Sequence, residues 1–172
     1  MKQLKEFMIN VTNNFLIDDE SQSICSIDVT TYGKRVWDVQ EQCSDVKVKR
    51  SNIKPFVVEL INKHNIPYSC AVELLKYPMH AMSSPHQDVK GSHFDSSSNH
   101  RIAEWSKTGI VLLNDDFEGG DLYFPNLGVT FNKEYKNCLI EFPAGENELY
   151  THGVTPVTSG TRYTLIFRWE KL

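Results

Sequence analysis

Two short pairs within residues 83–98, SSPHQDVKGSHFDSSS, are of types that bind metal: His86-Gln87-Asp88 and His93-Phe94-Asp95. A His and an Asp two apart on a strand point to the same side and can grip one ion. A third donor lies downstream in LYTHGVTPVTSGTRYTLIFRW, where His152 is followed by Arg162 after a Thr-Ser-Gly turn. Two His and one carboxylate bind Fe(II) on one octahedral face and leave three positions open. A co-substrate with a 2-oxo acid head can take two of them. Its far carboxylate then needs a fixed cation deeper in the cavity, and an arginine suits it by bidentate geometry. Thr164, two residues along the same strand, can add a hydrogen bond. The residue types alone leave the choice between the two His-x-Asp pairs open.

Strands must carry these groups. CAVELLKY (70–77), KTGIVLLN (107–114), GDLYFP (120–125), VTFN (129–132), NCLIEFP (137–143), HGVTPV (152–157) and TRYTLIFRW (161–169) all read as strands. The turn clusters NDDFEGG, PNLG, PAGENE and TSG separate them. In the last strand Arg162, Thr164, Ile166 and Arg168 share one face, and Tyr163, Leu165, Phe167 and Trp169 share the other. The apolar second face is expected to pack on N-terminal helices, one of them over FVVELINKHN, 56–65. The first face carries two arginines that need partners if they turn inward. A hairpin through TSG would set His152 and Arg162 on adjacent strands. NDDFEGGD lacks the EF-hand spacing and reads as a Gly-Gly turn, not a calcium loop. The fold class is therefore mostly β with flanking N-terminal helices, a sandwich or jelly roll. We read one domain, with 1–69 as helical or mixed support and 70–172 as the β core.

The totals suit this reading. The chain has 172 residues, 40% hydrophobic and 23% charged, with a net charge of −4, enough for one full-sized core. The acidic balance argues against nucleic acid as the partner. Cys25, Cys43, Cys70 and Cys138 are scattered without a C-x-x-C pair, which argues against a zinc ribbon or a disulfide framework. They read as mostly buried thiols of a cytoplasmic protein. The start, MKQLKEFMIN, has no long apolar run, so no secretory signal is expected, and no segment suits a membrane span.

The ordered set LLKYPMHAMSSPHQD, GIVLLNDDFEGGDLYFP and LIEFPAGENELYTHGVTPVTSGTRYTLIFRW resembles the 2-oxoglutarate- and Fe(II)-dependent dioxygenases of the prolyl 4-hydroxylase type. The resemblance covers about residues 71–169. It implies a double-stranded β-helix, a distorted, cupin-like jelly roll. That family often places a Tyr nine residues ahead of the first metal His, in the form Tyr…Pro-His-x-Asp. Tyr77 stands nine before His86, and Pro85 precedes it. The resemblance thus selects His86, Asp88 and His152 as metal ligands and puts His93 and Asp95 in a loop over the mouth.

It further implies that Arg162, with Tyr77 and Thr164, holds 2-oxoglutarate. Many prolyl hydroxylases have Lys at that position. Fe(II), 2-oxoglutarate and O₂, with ascorbate as reductant, are the implied cofactors. The reaction implied couples decarboxylation of 2-oxoglutarate to succinate with hydroxylation of an unactivated C–H bond, in a peptidyl proline or another protein side chain. Trp105, Arg168 and His93 are candidate substrate contacts. RYTLIFR, 162–168, is also similar to the R-x-N-x-T-x-R strand of alkylation-repair dioxygenases, with Thr164 and Ile166 in place of its Asn and Thr. Nucleic-acid demethylation, hydroxylation of a free small molecule and a non-catalytic binding role are the alternatives.

Overall fold

A computed structural model describes residues 8–27, 32–36, 44–47, 59–60, 62–66, 71–94 and 100–171; for 32–36, 44–47, 91–94 and 100–103 it describes only the backbone. The elements run β1 (Asn10–Thr12), α1 (Asp18–Cys25), β2 (Tyr32–Val36), β3 (Ser44–Lys47), β4 (Ala71–Tyr77), β5 (Ser83–His86), β6 (Lys90–Phe94) and β7 (His100–Leu112). There follow β8 (Glu118–Gly119), β9 (Leu122–Phe124), β10 (Val129–Phe131), β11 (Leu139–Pro143), β12 (His152–Val154), β13 (Val157–Ser159) and β14 (Arg162–Glu170).

Two antiparallel sheets face each other. The larger has the order β1-β11-β7-β14-β4-β3-β2, with β6 added to β7, and the smaller the order β10-β9-β12-β5. This is the expected jelly roll. Period-two patterning builds the layer between the sheets. Leu75, Ile110, Phe142 and Ile166 from the larger sheet meet Leu122, Phe124 and Val154 from the smaller. Phe124 and Phe142 meet edge to face, with ring centroids 4.9 Å apart, the geometry that aromatic quadrupoles favour.

The outer face of the larger sheet forms a second core. Leu165 and Phe167 pack there with Phe15, Leu16, Ile24 and Leu60, flanked by Tyr163 and Trp169. The two faces of β14 thus divide as its alternation predicts. Asp18, Asp19 and Glu20 fill the first turn of α1, where negative charge complements the helix dipole. Of the helix expected over 56–65, residues 59–60 and 62–64 are helical, and 56–58 and 61 lie outside the described residues.

Three sequence expectations are corrected. His152 and Arg162 are not on adjacent strands: β12 pairs with β5 and β9, whereas β14 pairs with β4 and β7 in the other sheet. The segment expected as one strand over 152–157 breaks at Thr155-Pro156. Proline has no N–H for a ladder, and β13 pairs with β8 instead. The stretch expected as a loop over the mouth is largely a hairpin, in which His93 of β6 pairs with Arg101 of β7.

Candidate metal centre

The smaller sheet supplies two imidazoles. His86 ends β5 and His152 begins β12, directly opposite in the ladder, and their ring centroids lie 4.5 Å apart. Gly153 lets β12 pass between its neighbours, since a Cβ there would stand 2.6 Å from the Ser83 carbonyl oxygen. His86 Nδ1 lies 2.7 Å from the Ser84 carbonyl, and His152 Nδ1 lies 3.0 Å from that of Tyr150. A carbonyl only accepts, so each Nδ1 donates and each Nε2 keeps its lone pair. Asp88 meets both: Oδ1 lies 3.8 Å from His86 Nε2 and Oδ2 lies 3.7 Å from His152 Nε2. Among the described residues, these three form the group able to share one ion. Ligands in cis positions at ~2.1 Å stand about 3 Å apart, so small side-chain shifts bring the three donors to bonding positions. Two His and a carboxylate with an open side suit Fe(II).

Electrostatics keep Asp88 and His152 ready at neutral pH. Burial pushes the His152 imidazole down to about 4, against the pull of the Asp88 carboxylate. Burial alone would raise Asp88, but Arg168, His152, His86 and the Thr108 hydroxyl outweigh it and hold the carboxyl at about 2. Neutral imidazole and ionised carboxylate are the ligating forms.

The larger sheet supplies the other wall. The cavity is lined by Tyr77, His86, Asp88, His152, Arg162 and Thr164, among others, and is partly open to solvent. Arg162 is 2% exposed. It stands opposite Tyr77 in the β4–β14 ladder, with its guanidinium carbon 5.1 Å from the centre of the Tyr77 ring. One guanidinium nitrogen donates to Thr164 Oγ1, while Nε has no hydrogen-bond partner. Burial lowers the guanidinium pKa, and Tyr77 and Asp121 act against that. No carboxylate among the described residues forms an ion pair with it. Glu141 pairs with Lys107, at 2.6 Å. Gly120, at φ +66, makes room for Arg162, whose Cδ would lie 2.9 Å from a Cβ there.

Arg168, a candidate substrate contact, lines the same cavity. Its side chain is 15% exposed and bridges two carboxylates, with Nη1 2.6 Å from Glu73 Oε2 and Nη2 3.3 Å from Asp88 Oδ1. Thr108 Oγ1 donates to Asp88 Oδ2 at 2.8 Å. Trp105, also a candidate substrate contact, is buried against Ala71 and Ala144 and does not line the cavity. Only the backbone of His93 is described, and Asp95 lies outside the described residues. Sequence reasoning missed Glu73 and Thr108. Their signal was period two: Glu73 shares the inward face of β4 with Leu75 and Tyr77, and Thr108 that of β7 with Ile110 and Leu112.

Known proteins resemble this arrangement. No protein-family profile matches the chain. It is 29% identical over 134 residues to a protein named as a prolyl 4-hydroxylase in Acanthamoeba polyphaga mimivirus, a match covering 69% of this chain and 54% of that one. It is 34% identical over 96 residues to human prolyl 3-hydroxylase 3, covering 53% of this chain and 12% of the other. The chain thus spans about half of one curated relative and a small part of the second. Among solved structures, a collagen prolyl hydroxylase of Paramecium bursaria Chlorella virus-1 with 2-oxoglutarate matches with a TM-score of 0.63 at 18% identity, over 95% of this chain and 96% of that one. A Pseudomonas putida prolyl-4-hydroxylase matches with a TM-score of 0.61 at 18% identity, over 99% and 96%. A Trichoplax adhaerens prolyl hydroxylase bound to a hypoxia-inducible-factor peptide fragment matches with a TM-score of 0.58 at 18% identity, over 98% and 86%. In sequence the chain resembles the prolyl 4-hydroxylase-like 2-oxoglutarate/Fe(II) dioxygenases, and it shares their jelly-roll fold over nearly its whole length.

Proposed function

We propose that this protein is a 2-oxoglutarate- and Fe(II)-dependent oxygenase that hydroxylates a peptidyl side chain, proline first among the candidates. The observation that carries the reading is one cavity with a His86–Asp88–His152 donor set on one side and, on the other, a buried arginine that forms no ion pair with a carboxylate among the described residues. A buried charge of this kind costs several kcal/mol unless something pairs with it. A dicarboxylate co-substrate is a fitting partner, because one end can reach the metal position while the other meets Arg162.

His86, Asp88 and His152 would hold the iron. With 2-oxoglutarate and O₂ bound, that centre supplies the oxidative decarboxylation to succinate and CO₂ that drives C–H hydroxylation. The chain's own part is placement. Arg162 and Thr164 fix the far carboxylate, with Tyr77 beside them. Leu75, Ile110, Leu122, Val154 and Ile166 line the cavity and exclude water from the reacting centre. Burial and charge hold Asp88 ionised and His152 neutral, the forms that ligate a metal.

The peptide as substrate rests on the names of the relatives, among them a prolyl hydroxylase solved with a peptide fragment. They favour a peptide over nucleic acid. The test supplies Fe(II), ascorbate, 2-oxoglutarate and O₂ with a library of proline-containing peptides, and reads succinate and a one-oxygen mass gain. Succinate that rises with a peptide, together with the mass gain on proline, supports the reading. Peptide-independent succinate formation, or stimulation by methylated nucleic acid alone, contradicts the substrate class.

A further inference from the structure

We propose that Arg168 and Thr108 form a cradle that sets the orientation of Asp88 as a metal ligand, with Glu73 holding Arg168 in place; the inference rests on the metal-centre reading above. The two residues are direct partners in the β7–β14 ladder. They approach Asp88 from the same sheet and divide its oxygens: Thr108 Oγ1 donates to Oδ2 at 2.8 Å, and Arg168 Nη2 donates to Oδ1 at 3.3 Å. Asp88 lies beyond the end of β5, so the β5 ladder does not fix its side chain. The Gly145 N–H donates to the Asp88 carbonyl at 2.8 Å and anchors the backbone only. Without the cradle the carboxylate could rotate away from the two imidazoles.

Glu73 completes the device. Arg168 Nη1 donates to its Oε2 at 2.6 Å, and Arg168 is covered on both sides by β4 and β7. Its two nitrogens thus engage two carboxylates in a planar fork, which a lysine cannot reproduce. Each oxygen of Asp88 keeps lone-pair capacity after accepting one such bond. The Asp88 carboxylate therefore arrives at the metal position already desolvated, ionised and aimed. Partners of this kind around ligating groups are worth roughly 10–100-fold in metal affinity. Arg168 and Thr108 are positioning residues: they act through Asp88.

The test measures Mn(II) affinity by electron paramagnetic resonance, in the absence of 2-oxoglutarate and of any turnover. The proteins are wild type, Arg168→Gln, Arg168→Lys, Thr108→Val, Thr108→Ser and His152→Ala. Arg168→Gln should weaken Mn(II) roughly 10–100-fold, and Arg168→Lys should recover only part of that. Thr108→Val, which keeps side-chain shape, should weaken it about tenfold, with Thr108→Ser close to wild type. If Arg168→Gln does not fold, the Thr108→Val and Thr108→Ser pair decides. The inference is overturned if His152→Ala abolishes binding while the folded Arg168 and Thr108 variants all bind like wild type. If His152→Ala itself binds Mn(II) like wild type, the metal-centre reading fails, and the cradle with it.

Discussion

Arg162 and Arg168 stand six residues apart on one face of one strand, yet they occupy opposite electrostatic situations. Arg168 is paired twice inside the protein, with Glu73 and Asp88, and these partners raise its pKa above the usual arginine value against the effect of burial. Arg162 meets a threonine hydroxyl and an aromatic face, forms no ion pair with a carboxylate among the described residues, and has its pKa lowered by burial. The same residue type therefore does two jobs. A satisfied buried arginine is part of the scaffold, here of a metal ligand. An unsatisfied one stores a desolvation cost that an anionic ligand can relieve. The contrast separates the cavity into an end built to hold a cation and an end built to receive a carboxylate.

The largest expected effect separates the two by stability alone. Arg168→Gln leaves Glu73 and Asp88 without their shared cation, and should lower unfolding free energy by about 3–5 kcal/mol. Arg162→Gln removes a buried charge that forms no ion pair with a carboxylate among the described residues, and should leave stability unchanged or raise it. Urea unfolding of the metal-free proteins checks both, and equal losses would collapse the distinction.

Acid should act on the metal end. In the unfolded chain His152 titrates near 6.5, but in the folded protein near 4. Between those values the unfolded state binds more protons, so stability falls as pH drops through that window, by on the order of 3 kcal/mol. Asp88, held at about 2 against an ordinary 3.8, extends the loss below pH 4, because its contribution disappears as the folded carboxylate is protonated. Thermal melts of the metal-free protein should show a steeper decline from pH 6.5 to 4 in wild type than in His152→Gln. Parallel profiles would mean that His152 is not buried as a neutral ring.

The carboxylate end responds to a different probe. Arg162→Gln should weaken 2-oxoglutarate by roughly 10–100-fold, the value of about 1.5–3 kcal/mol for a charge-assisted contact, and leave Mn(II) affinity unchanged. Calorimetry with each ligand in turn tests the separation. Thr164→Val should give the smallest change, about fivefold in 2-oxoglutarate affinity for one neutral hydrogen bond of about 1 kcal/mol. A Thr164→Val effect as large as that of Arg162→Gln would show that the hydroxyl, and not the guanidinium, is the main contact.

The comparison also shows where sequence reading succeeds. β14 was legible because its alternation is strict, and both of its faces went where period two sends them. The His86-x-Asp88 pair was legible because the two residues are near in sequence. What failed was pairing at a distance. His152 and Arg162 are close in sequence and suggest a hairpin, but Pro156 interrupts the ladder and the chain crosses to the other sheet. Glu73 and Thr108 were invisible as partners of Asp88 because their proximity exists only through the β4–β14–β7 register. Each stood as a polar residue on an inward face, which is a detectable anomaly, but the sequence does not say which charge answers it. Trp105 illustrates the converse: an aromatic near a site is as ready to pack as to line a cleft, and here it packs with Ala71 and Ala144.

The central claim is that His86, Asp88 and His152 hold iron to which 2-oxoglutarate binds with its far end on Arg162. Anaerobic addition of Fe(II) and 2-oxoglutarate to wild type, His86→Ala and His93→Ala tests this most directly, read by the visible metal-to-ligand charge-transfer band. The account predicts the band in wild type and in His93→Ala and its loss in His86→Ala. A band that survives in His86→Ala, or that disappears in His93→Ala, would place the metal elsewhere and contradict the account.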